Sequence, residues 1–147
     1  MIDARTRAVL EDIVRRESRS LLQYVSDAFP WTMPEARDGL VQLQKLVAEE
    51  RRAADDVSRF LVRHHLMPPY LGSYPSDFTT INFVSLTHLL PLLADTERRA
   101  IADLERDQSN LGDPEARGLV QKMVDMKQQH LKALDALAGA DREPALR

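Results

Sequence analysis

The chain has 147 residues, with 20 basic and 23 acidic side chains, 44% apolar residues and no cysteine. That length suits one domain with one core, and the missing cysteine excludes disulfide scaffolds, thiolate nucleophiles and Cys-ligated zinc or iron–sulfur centres. A formal net charge of −3 argues against a protein whose main task is coating nucleic acid. No apolar run approaches the roughly 18–20 residues that span a bilayer. The opening stretch MIDARTRAVLEDIVRR has no signal-peptide apolar core, so a cytoplasmic protein without a membrane segment is expected.

Apolar residues recur every three or four positions and no stretch alternates long enough for a half-buried strand, which predicts an all-α chain. The first helix is predicted from about Asp3 to Phe29, ahead of Pro30. Thr32, Pro34 and Glu35 read as N-cap, first turn and capping box of the second, which continues to about His65. Residues 66–79 hold three prolines and one glycine and are expected to be extended. The third helix is predicted from near Thr80 to Ser109–Gly112, with Pro91 kinking it or, alternatively, starting it. Asp113 then caps, and Pro114 opens, a fourth helix that stops at Gly139. Residues 1–139 form the single domain in this reading, and residues 140–147 a short flexible tail.

The outer connections are short, so each flanking pair is expected to be an antiparallel hairpin. The middle connection, about 14 residues at roughly 3.3 Å each, reaches about 45 Å, the length of a 30-residue helix. Short, long and short connections describe a four-helix bundle with one long crossover between the second and third helices.

On the first helix Leu10, Ile13, Glu17, Leu21, Tyr24 and Ala28 share a face. The second aligns Leu40, Leu43, Val47, Glu50, Ala54, Val57, Leu61 and His64; the third aligns Phe83, Leu86, Leu90, Leu93, Glu97, Ala100 and Leu104. The fourth aligns Ala116, Leu119, Met123, Lys127, His130, Leu134 and Leu137. Each apolar stripe is interrupted near its middle by an ionisable residue. A buried carboxylate is costly unless it is paired, hydrogen-bonded or bound to metal. Glu17, Glu50, Glu97, Lys127 and His130 are therefore expected to converge in one polar layer.

Helix order, crossover position and these polar residues together resemble the ferritin-like, rubrerythrin-type superfamily, over roughly residues 3–138. The family places Glu on its first and third helices and Glu-x-x-His on its second and fourth, holding two iron or manganese ions. Glu17, Glu50 and Glu97 match three of the carboxylates, and His130 matches the fourth-helix histidine. The second helix reads Glu50-Arg51-Arg52-Ala53 and the fourth Lys127-Gln128-Gln129-His130, so one histidine is replaced by alanine and one bridging glutamate by lysine.

Three carboxylates and one ammonium leave a formal excess of two negative charges, which does not support two divalent ions. The first expectation is a non-catalytic protein without metal, Lys127 ion-pairing with the carboxylates while His130 and a shared proton absorb the rest. The alternative is a single iron, manganese or zinc ion on Glu17, Glu50, Glu97 and His130, in a metal carrier or oxidoreductase. A third reading leaves the stripes misphased, because Leu22, Val25, Phe60 and Leu131 flank them.

The remaining polar features have simpler readings. His64 and His65 sit where a helix C-terminus favours positive charge, and His88 reads as a hydrogen-bonded or surface imidazole. Arg15-Arg16, Arg51-Arg52 and Arg98-Arg99 read as solvated helix faces, with Arg51 or Arg52 also able to reach the polar layer. Trp31, Tyr70, Tyr74 and Phe78 are expected to seal the bundle or to contribute to a homodimer contact. No local motif of nucleophilic catalysis or phosphate binding is present. The protein is expected to act through its surface on a protein partner or a second copy.

Overall fold

The computed structural model describes residues 2–28, 37–82 and 84–142, with side chains to residue 139. Among the described residues five α-helices follow one another: α1 (Ala4–Glu17), α2 (Leu21–Asp27), α3 (Arg37–Arg63), α4 (Leu86–Ser109) and α5 (Pro114–Arg142). A 3₁₀ helix covers Ser76–Ile81, and no strand occurs among the described residues. None of these helices is long and apolar enough to cross a membrane. The predicted capping box at Thr32, Pro34 and Glu35, with Trp31, Phe29 and Phe83, lies outside the described residues.

The predicted first helix is broken in two. Asp3 caps α1 by accepting from the Thr6 amide at 2.7 Å. Ser20 then takes an extended backbone and accepts from the Gln23 amide at 3.2 Å, starting α2. Serine competes for backbone hydrogen bonds outside helices, so two serines within three residues favour interruption over continuity. The break re-phases the inward face. Leu22 and Val25 are fully buried, whereas Tyr24 is half-buried and Ala28 exposed.

The third helix also departs from expectation. Ser76–Ile81 is a separate 3₁₀ turn and α4 begins only at Leu86, so the middle connection runs from His64 to Ser85. Pro91 lies inside α4 and is exposed, leaving the Thr87 carbonyl without its intrahelical donor on the solvent side. Asp113 and Pro114 act as predicted, with Asp113 Oδ1 accepting from the Ala116 amide at 2.9 Å. Gly139 does not stop α5, which continues to Arg142. A glycine ends a helix only where the chain turns into left-handed backbone, and here it does not.

That turn occurs instead at the end of α3. His65 has φ 63°, its amide bonds to the Val62 carbonyl at 2.9 Å, and the Leu66 amide reaches the Leu61 carbonyl at 3.0 Å. This paired arrangement normally carries glycine at the left-handed position. The His64 ring packs against Phe60 with centroids 4.4 Å apart. His65→Gly is expected to raise the unfolding free energy by about 0.5–1 kcal/mol, since relief of left-handed strain outweighs the added freedom of the unfolded chain. A urea midpoint that falls in this variant would contradict that reading.

Two apolar clusters fill the interior. One unites Leu22 and Val25 of α2 with Leu43 and Val47 from the first half of α3, Leu89 and Leu93 from the first half of α4, and Leu134 of α5. The other unites Leu10 and Ile13 of α1 with Val57 and Leu61 from the second half of α3, Leu104 of α4, and Val120 and Met123 of α5. Phe60 is fully buried beside Leu61, so the buried arc is wider than a single stripe. Between the clusters lie the polar residues Glu17, Gln23, Glu50, Glu97, Lys127 and His130, all buried.

Among the described residues, the middle connection supplies aromatic packing. Tyr74 and Phe78 pack against Tyr24 of α2, with centroids 5.3 and 5.6 Å away. Tyr70 is 90% exposed and seals nothing in the chain itself.

Candidate functional site

Helical spacing carries five ionisable side chains inward from four elements. Glu17 ends α1, Glu50 and Glu97 sit midway along α3 and α4, and Lys127 and His130 are one turn apart on α5. The Lys127 ammonium is the hub. Its Nζ lies 2.7 Å from Glu17 Oε2, 3.1 Å from Glu50 Oε2 and 3.4 Å from Glu97 Oε2. The ammonium donates hydrogen bonds to Glu50 and Glu97 and is ion-paired with Glu17, so carboxylates from three other elements share one cation. Lys127 is entirely inaccessible to solvent. The misphased reading is therefore overturned for these five residues.

Two further residues complete the layer, and both were missed in the sequence. Gln23 is buried, and its amide nitrogen donates to Glu50 Oε1 at 2.7 Å and also to the Glu17 backbone carbonyl. That carbonyl is one of those the end of α1 leaves without a helical donor. Ser20 Oγ donates a short hydrogen bond to Glu50 Oε1 while capping α2. The sequence signal was Ser20-x-x-Gln23, which has capping-box spacing. Gln23 turns its side chain to the carboxylate instead of back to the cap. Ser20→Ala removes both the cap and a donor to a buried carboxylate, and is expected to lower stability by about 2 kcal/mol in thermal unfolding.

The three carboxylates are electrostatically unequal. Burial pushes Glu50 upward, but Lys127 and the donors Gln23 and Ser20 together outweigh it and hold Glu50 below the usual carboxylate range. Burial pushes Glu17 upward and Lys127 only partly offsets it. Burial, reinforced by Glu50 and Glu17, raises Glu97 to about 7. Burial disfavours the charged form of Lys127, yet the three carboxylates raise it well above the ordinary lysine value.

His130 behaves differently from expectation. Burial and the nearby Lys127 lower its pKa, so the imidazole stays neutral and does not absorb the excess negative charge. Neither ring nitrogen of His130 has a hydrogen-bond partner among the described residues, and Nε2 lies 3.7 Å from Glu49 Oε2. Glu50, Glu97 and His130 can each offer one ligand atom, all within 4.8 Å of one another. Glu17 stands outside this group, so the expected four-residue ligand set reduces to three.

The other candidates lie away from the layer. Arg51 and Arg52 are exposed, and Arg51 pairs with Asp27 at 3.0 Å, so neither reaches the core. Arg16 is half-buried and pairs with Asp107 at 2.6 Å, while Arg98 pairs with Asp95 and Asp135 on the surface. His88 is exposed, with its Nδ1 2.7 Å from Ser85 Oγ.

A two-metal centre does not fit this donor set. Each of the three carboxylates already has an oxygen on the Lys127 ammonium, whose positive charge would repel ions held beside it. No protein-family model, curated protein or solved structure matches the chain.

Proposed function

We propose that the chain is a non-catalytic, ferritin-like four-helix bundle in which the Lys127 ammonium takes the structural place of metal. The observation that carries this reading is the contact of one buried cation with carboxylates from α1, α3 and α4, at 2.7–3.4 Å. An internal cation offsets part of the layer's negative charge without a redox-active centre, leaving the bundle a binding or structural role. Self-association is part of the proposal, with the exposed Met67 and Tyr70 offering apolar surface. Sedimentation equilibrium tests that part directly.

The topology belongs to the proposal too. The first halves of α3 and α4 contribute to one apolar cluster and their second halves to the other, which supports a parallel course for these helices. With 27 residues, α3 is about 40 Å long. A connection from His64 to Ser85 has ample reach to run back along it. Counting α1 and α2 as one interrupted helix, this is a bundle with one crossover.

Elemental analysis after purification with added iron, manganese and zinc is the test. No stoichiometric ion is expected. Lys127→Glu restores the bridging carboxylate, and this variant is expected to unfold more easily without metal and to regain stability with it. Tight binding of one ion by the parent protein, lost in Glu50→Gln and His130→Ala, would overturn the proposal. A specific observation favours that second reading: His130 is buried with both ring nitrogens unpartnered, 4.8 Å or less from ligand atoms of Glu50 and Glu97. In it, Glu50, Glu97 and His130 hold a single ion.

A further inference from the structure

A cavity of about 530 Å³ runs from the surface to the ionic layer, within the size range of small-molecule sites. Its outer wall includes the exposed Asp77, Thr80 and Arg99, and its floor is formed by the buried Glu17, Glu97 and Lys127. Leu21, Phe78, Ile81 and Leu92 supply an apolar side between rim and floor. The break between α1 and α2 helps to open it, because Arg16, Glu17, Arg19, Ser20 and Leu21 line one wall.

The floor is unevenly committed. Glu17 and Glu97 each turn Oε2 to Lys127, while no described residue donates to their Oε1 atoms. Both side chains are buried to within 3% and both line the cavity. The Lys127 ammonium is already shared among three carboxylates, so the floor offers acceptors and no spare cation. Three carboxylates face one ammonium, and the neutral His130 adds no positive charge. The outer part of the cavity carries Arg16, Arg19 and Arg99 against Asp77 and Asp103, so the negative excess is confined to the floor. Arg19 donates to the Gly72 and Ser18 carbonyls, and neither it nor Arg99 makes an ion pair among the described residues. Arg16 is paired with Asp12 and Asp107, and Asp103 with Arg106.

We infer that this cavity binds a small primary amine with an apolar body, its ammonium donating to Glu17 and Glu97 and its body lying against Leu21, Phe78 and Leu92. The inference rests on the layer being free of metal, and it adds a ligand class to that same site. A primary ammonium carries the N–H donors that two free carboxylate oxygens require, and a charge-assisted pair in a desolvated pocket is strong. A carboxylate ligand would meet like charge at the floor.

The test uses the full chain treated with chelator, with its metal content measured in the same sample. Phenethylammonium is titrated by calorimetry and by carbon-detected NMR of the Glu side-chain carboxyls. Its anionic and neutral counterparts, 3-phenylpropionate and 2-phenylethanol, are titrated in parallel. Saturable binding of the amine is expected, at least about tenfold tighter than the anion and the alcohol. Glu97→Gln is expected to weaken it about tenfold or more. Ala100→Phe fills the cavity without replacing an ionisable group and is expected to abolish binding. Leu92→Trp narrows the cavity from a partly exposed position and serves if Ala100→Phe folds poorly.

Lack of saturable amine binding up to the solubility limit overturns the inference. So does equal binding of the anion, or binding unaffected by the cavity-filling variants. A metal-free sample that fails to bind sinks this inference alone, whereas a sample holding a stoichiometric ion sinks the underlying functional reading.

Discussion

Lys127→Met is expected to destabilise the protein by about 3–5 kcal/mol at neutral pH, the cost of leaving buried charge without its partner. For a chain of this size that corresponds to a loss on the order of 10 °C in melting temperature. Methionine preserves most of the side-chain volume, so the effect reports charge and not a cavity. Glu17, Glu50 and Glu97 lose their shared counter-ion and must either remain charged in a desolvated layer or bind protons. The penalty is therefore expected to shrink as pH falls toward 5, where protonation becomes easier. Glu17→Gln and Glu97→Gln added to Lys127→Met are expected to recover most of the loss, because a neutral hydrogen-bonding layer has no unpaired charge. A Lys127→Met protein melting within a degree or two of the parent would mean that the ammonium is not the counter-ion of this layer in solution.

The second large effect is a pH dependence centred on Glu97. Its folded-state pKa is raised to about 7 from an ordinary 4.5, chiefly by burial. Between these values the folded protein binds more protons than the unfolded chain, so stability falls as pH rises from 4.5 through 7 and stays reduced above. A shift of that size is worth on the order of 3 kcal/mol. Glu17, also raised, contributes with the same sign. Glu50, held low, contributes stability that is present above 4.5 and lost as pH falls through its depressed value. His130, lowered by burial, opposes Glu97 below pH 6.5, where protonation favours the unfolded chain. Lys127, raised well above its ordinary value, contributes stability across this range and loses it only at strongly alkaline pH.

Because these contributions overlap, the measurement is a comparison. Unfolding free energies of the parent and of Glu97→Gln are determined by urea denaturation from pH 4.5 to 8. Glutamine cannot ionise, so the variant lacks the Glu97 contribution while keeping much of the same shape. The difference between the two proteins is expected to move by about 3 kcal/mol across the range, in favour of the variant at the alkaline end. Parallel curves would show that Glu97 titrates as an ordinary solvated carboxyl, and the layer would then be open to water.

The periodicity of the chain was enough to bring Glu17, Glu50, Glu97, Lys127 and His130 to inward helix faces. Residues three or four apart lie on one side of a helix whatever it packs against. Asp113 and Pro114 were legible for the same reason, since capping depends on neighbours within one turn. Ser20 and Gln23 carried a local signal as well, but the uninterrupted apolar spacing around Glu17 and Leu21 masked it. Only packing decided that this break would aim Ser20 and Gln23 at Glu50 of another helix. The same holds for the imidazole left without a partner. Spacing along one helix selects a face, whereas desolvation, ion-pair distance and the cavity behind Glu97 depend on how closely separate helices and the Ser76–Ile81 turn meet. Those are through-space quantities, set between residues tens of positions apart, and only the folded chain contains them.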